Sequence, residues 1–134
     1  MKHVTLRLSI VTVVLVVAAP AAHAQPRPIV SYARSGGFIG GTETLTVFRD
    51  GRATSSRGRF RLSAQRLGAL QATLRNARFA SLSREYRASV PVADGYTYRV
   101  THAGRPVVAE DGAKVPARLQ RLLTLLESML SGRR

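Results

Sequence analysis

The 134-residue sequence contains no cysteine. That absence excludes a disulfide frame, a thiol nucleophile, a thiolate metal site and a lipoprotein anchor. Acidic side chains are scarce, 7 Asp and Glu against 21 Lys and Arg, and the formal net charge is +14. Histidine is almost missing as well, and beyond position 24 only His102 remains. A Ser-His-Asp triad would have to use that one ring, and a histidine-rich metal site has no ligands to draw on. Composition therefore favours a binding protein without cofactor or metal over an enzyme. Long apolar runs are also lacking. The one notable stretch, Ile10 to Ala22, is too short to span a bilayer.

That stretch has a different reading. Lys2 and Arg7 precede it, and the small-x-small triplet Ala22-His23-Ala24 follows it. Together they form the pattern of a secretory signal peptide over residues 1–24, cleaved after Ala24. The product, residues 25–134, is expected as one small domain, secreted or periplasmic and without a transmembrane segment. Intact-mass measurement of exported material should show Gln25, free or cyclised, at the N-terminus. A product that retains Met1 to Ala24 would refute export.

Periodicity supplies the elements. Ile29 to Arg34 reads as a strand, followed by the glycine-rich loop Ser35 to Thr42. Thr44 to Arg49 alternates as a second strand, and Asp50-Gly51 suggests a type I′ hairpin into Arg52 to Ser56. Arg57 to Leu62 extends that strand or forms another. Ser63 is placed as a helix N-cap, with Leu62 and Leu67 at staple spacing. The stripe Leu67, Leu70, Leu74, Ala77 predicts a helix to about Arg78, closed by Phe79 and Leu82. Ser83 to Ala93 reads as a short edge strand or a loop, since Pro91 argues against a central strand. Tyr96 to Thr101 and Pro106 to Glu110 form a hairpin through Ala103-Gly104. After Pro116, the residues Leu119, Leu122, Leu123, Leu126, Met129 and Leu130 mark a second helix, with Gly132 as its cap. The order predicts an α+β fold: an antiparallel sheet of about four to five strands with two helices packed on one face.

Few residues offer chemistry. His102 ends a strand with no nucleophile in motif distance, although Glu110 and Asp111 stand across the hairpin. The glycine loop leads into a strand and contains no lysine, unlike a phosphate cradle. What it does contain is two bulky apolar residues, Phe38 and Ile39, between the pairs Gly36-Gly37 and Gly40-Gly41. Phe38 either folds back as a lid on the core or is displayed as a contact residue. Arg57, Arg59 and Arg61 alternate, so an extended backbone would align three guanidinium groups about 6.6 Å apart. That face could be a solvated surface or could take an anionic polymer. Only Phe60 is interleaved, so no specific nucleic-acid reader is expected.

The segment Arg34-Ser35-Gly36-Gly37-Phe38-Ile39-Gly40 resembles the emfourin family, small inhibitors of protealysin and other thermolysin-like metalloproteases. Members carry a short strand and then an Arg-Ser-Gly-Gly-Phe-x-Gly-like segment near their start. A helix with spaced leucines and a Phe-x-x-Leu-like turn come later, to which Leu67 to Leu82 is similar. The likeness covers the first half of the chain after residue 24 in motif, and the remainder in element order. The signal peptide and the strong positive charge depart from the family pattern. The resemblance implies an inhibitor of such proteases, with Arg34, Gly36, Gly37, Phe38, Ile39 and Gly40 as the partner-binding segment. The rival expectation is a basic envelope-associated module, holding anionic polymers or lipid head groups through Arg57, Arg59 and Arg61.

Overall fold

Residues alternating in polarity pair into strands, and residues apolar at every third or fourth position coil into helices packed on them. The computed structural model describes residues 26–132, so the expected signal segment lies outside it. Strands β1 (Pro28–Gly36), β2 (Gly41–Phe48), β3 (Arg52–Ser55) and β4 (Gly58–Arg61) precede helix α1 (Ala64–Asn76). A 3-10 turn at Phe79–Ser81 leads to β5 (Glu85–Tyr86), β6 (Tyr96–His102), β7 (Arg105–Glu110) and helix α2 (Ala117–Leu130).

The strands form one sheet in the order β4-β3-β2-β1-β6-β7-β5. The expectation of four to five antiparallel strands is thereby corrected: there are 7, and β5 runs parallel to β7. The additional strands are the short ones at the two edges. Gly58–Arg61 stands as a separate, fully exposed edge strand, and Glu85–Tyr86 is a two-residue strand at the other edge. The sequence left both stretches open, Arg57 to Leu62 as an extension or a separate strand and Ser83 to Ala93 as an edge strand or a loop, and each contains a strand.

One face of the sheet is apolar and supplies Val30, Tyr32, Leu45, Val47, Val100 and Val107 to the core. Leu70 and Leu74 of α1 join the same cluster, as do all six buried residues of α2. The Ser63 hydroxyl caps α1 by accepting from the Arg66 amide at 3.2 Å. At the far end of α2, Gly132 takes φ 65° while its amide donates to the Met129 carbonyl.

The turns differ from expectation in one instructive respect. Only Gly51 has positive φ in the β2–β3 connection, and its amide donates to Phe48. This is the three-residue connection in which a type I turn ends on a left-handed glycine, not type I′. Positive φ at both central residues occurs instead at Ala103 and Gly104, between β6 and β7.

Candidate functional site at the β1–β2 hairpin tip

Pairing persists further into the glycine segment than the sequence suggests. Ser35 lies opposite Thr42 and Gly36 opposite Gly41, so only Gly37 to Gly40 remains as the loop. The Gly40 amide closes it on the Gly37 carbonyl at 3.1 Å. Gly36, Gly37 and Gly40 all have positive φ, at 110°, 75° and 68°. The first two are also pressed against their neighbours. A Cβ on Gly36 would stand 2.5 Å from the Gly95 carbonyl oxygen, and one on Gly37 would stand 2.6 Å from the Tyr96 hydroxyl. The Gly37 amide in turn donates to the Gly95 carbonyl at 3.3 Å. The glycines thus let the loop lie down on the start of β6, which fixes its direction.

Phe38 and Ile39 project from this loop at 90% and 95% exposure. Phe38 does not fold back as a lid on the core; its side chain stands exposed. The ground beneath is held by Arg34, whose guanidinium lies 4.7 Å from the centre of the Tyr96 ring. Arg34 pairs with Glu43 on the neighbouring strand and with Glu127 of α2 at 3.3 Å. Glu43 also accepts from Arg57 at 2.8 Å, and these hydrogen bonds, Arg34's first, hold its carboxyl below the usual range. Beside them the Tyr98 hydroxyl donates to Asp111 at 2.6 Å, and burial followed by that carboxylate pushes its pKa up. Asp111 accepts from the Tyr96 amide as well. The apolar tip therefore stands on a polar lattice joining β1, β2, β6 and α2.

A second loop stands beside it. Val90 and Val92 are 75% and 50% exposed, and the turn closing this segment ends at Gly95, the residue that holds Gly37. Its start is tied down where the Ala88 amide donates to Glu110 at 3.1 Å. Among the described residues, only Phe60 is a further large apolar side chain with comparable exposure, at 36%. Sequence reasoning passed over Val90 and Val92 as contact residues. The available signal was an apolar Val-Pro-Val run with no helical partner stripe.

The three patch arginines line one hollow but do not all stand free. Arg57 lies in the turn before β4 and is engaged with Glu43, and Arg61 donates to the Asp50 carbonyl at 2.9 Å. Arg59 shares a strand face with Arg61, opposite Thr54 and Arg52 of β3. Charged side chains on an edge strand also discourage pairing with other chains, which gives this run a role in the fold itself. The acids do not approach His102 either: it pairs with Arg105 at the turn, whereas Glu110 lies opposite Thr97 at the other end of the hairpin. Among the described residues, no group of three or more His, Asp or Glu could hold a metal ion, and no helix is long and apolar enough to cross a membrane.

No protein-family model matches the chain, and no curated protein matches it.

Proposed function

We propose that this chain is a non-enzymatic binding protein, secreted or periplasmic, that seats Phe38 and Ile39 in the cleft of a protein partner. A thermolysin-like metalloprotease is the partner that the emfourin-like segment suggests. The observation that carries the reading is two adjacent bulky apolar side chains, almost fully exposed, on a loop whose backbone is already fixed. Displaying such side chains in water is unfavourable unless a partner covers them, and a preformed loop loses little entropy on docking. Val90 and Val92 extend the apolar contact to one side.

Titration of a thermolysin-like protease with the protein, followed by its peptidase rate, tests the proposal. Wild type should inhibit at near-stoichiometric ratios. Phe38→Ala should weaken inhibition by about 2 kcal/mol or more, roughly 30-fold, since anchors of this kind dominate interface energies. Its melting curve should hardly move, because an exposed ring contributes little to folding. A large loss of stability with unchanged inhibition would contradict the assignment. Absence of inhibition, together with steeply salt-dependent binding to a polyanion, would favour the arginine reading, for which Arg59 is the side chain without a partner among the described residues.

A further inference from the structure

The end of the sheet remote from the hairpin tip presents a cleft with a different chemistry. It lies between α1 and the ends of three strands, encloses about 480 Å³, and is lined by Ile29, Arg49, Gln71, Leu74, Arg75 and His102. A second hollow of about 400 Å³ shares Ile29, Arg49 and His102 with it and adds Arg27 and Phe48. Both volumes fall in the range of small-molecule sites, about 300–1,000 Å³.

We propose that this cleft binds a small amphiphilic anion, its head clamped between Arg49 and Arg75 and its apolar body laid on Ile29 and Leu74. Most of the acids in this protein are matched to basic side chains or to backbone amides: Glu43 and Glu127 to Arg34, Asp50 to Arg52, Glu85 to Arg87. The side chains of Arg49 and Arg75 have no hydrogen bond or ion pair among the described residues, and no acid lines the larger cleft. The only acid in the adjoining hollow is Asp50, and Arg52 holds it at 2.6 Å. Two guanidinium groups facing one cavity repel each other until an anion joins them, and their forked donors suit carboxylate or phosphate oxygens.

Part of the wall is held in place. Gln71 and Arg75 stand four residues apart on α1 and so share a face. The His102 Nδ1 lies 2.6 Å from the Ile29 carbonyl oxygen, and its ring meets Phe79 edge-on at 5.6 Å. That contact leaves Nε2 without a protein partner among the described residues. The floor is apolar, with Leu74 buried and Ile29 packed on the core. A bare inorganic ion would leave that floor wet, which is why the expected ligand has a hydrocarbon part.

The test is a nuclear magnetic resonance titration of residues 25–134, using octyl phosphate, octanoate and inorganic phosphate as probes. Either octyl probe should shift the backbone amides of Ile29, Gln71, Arg75 and His102 saturably, and inorganic phosphate should bind at least tenfold more weakly. Which octyl compound binds tighter identifies the head group. Arg49→Gln with Arg75→Gln should weaken octyl binding at least tenfold. Both side chains are exposed, so the fold should tolerate the change. Arg84→Gln with Arg121→Gln removes the same charge elsewhere and should leave binding unchanged. Equal weakening by the two double variants, shifts spread over the basic surface without saturation, or no shift at all would overturn the proposal. Phe38→Ala should not affect this titration, so its outcome is independent of the protease reading.

Discussion

Replacing Leu122 by alanine should cost about 2–5 kcal/mol of stability, the usual range for emptying a buried leucine site. Leu122 is 0% exposed and sits mid-helix in α2, inside the cluster that includes Leu70 and Leu74 of α1 and Val47 of β2. Fixed helix backbones around it limit how far neighbours can relax into the space, so the upper half of the range is expected. Against a total of about 5–15 kcal/mol for a small domain, the loss is large. Gln120 is exposed on the same helix, and Gln120→Ala should leave the urea midpoint almost unmoved. Equal midpoints for the two variants would mean that α2 buries another face.

Gly36→Ala should be the most damaging single-methyl change in the hairpin. The added Cβ meets the Gly95 carbonyl oxygen at 2.5 Å, a backbone atom that cannot rotate away, and φ is 110°. Strain of this backbone type costs about 1–3 kcal/mol before any steric displacement. Its cross-strand neighbour Gly41 has no atom within 4 Å of a built Cβ and no positive φ. Gly41→Ala should therefore be neutral or slightly stabilising, by less than about 1 kcal/mol. Chemical denaturation of both variants gives the comparison, and similar values would show that the loop does not rest on Gly95. Because Gly36 also sets the direction of the tip, its alanine variant should lose partner binding as well as stability.

The contrast between these two glycines shows what could be read in advance. The glycine pairs marked an unusual connection, but which glycine was constrained depended on Gly95, 59 residues later, and on the β1–β6 pairing that brings it near. The helices were legible because burying one side of a 3.6-residue turn writes its own spacing, as Leu119, Leu122 and Leu126 do. Strand periodicity reports which face is buried and is silent about neighbours. Hence β5, two residues long, could be read only as an edge strand or a loop, and its parallel pairing with a strand that follows it was not legible. Hence also the misassigned turn: Asp-Gly has two compatible connections, and the register of β2 on β3 selected the longer one. The exposure of Phe38 was not legible in advance, since the Arg34 and Tyr96 contact that lines the same hollow joins residues far apart in sequence.

The position of β1 between β2 and β6, and of β2 between β1 and β3, has a bearing on durability. Under the proposed protease reading, the loop risks being cut. Here the β1 end of a nick between Phe38 and Ile39 would stay paired on both sides, Gly36 to Gly41 and to Tyr96, and the β2 end would stay paired to β1. The new termini would be held near each other, and the severed product would keep the shape of the uncut chain.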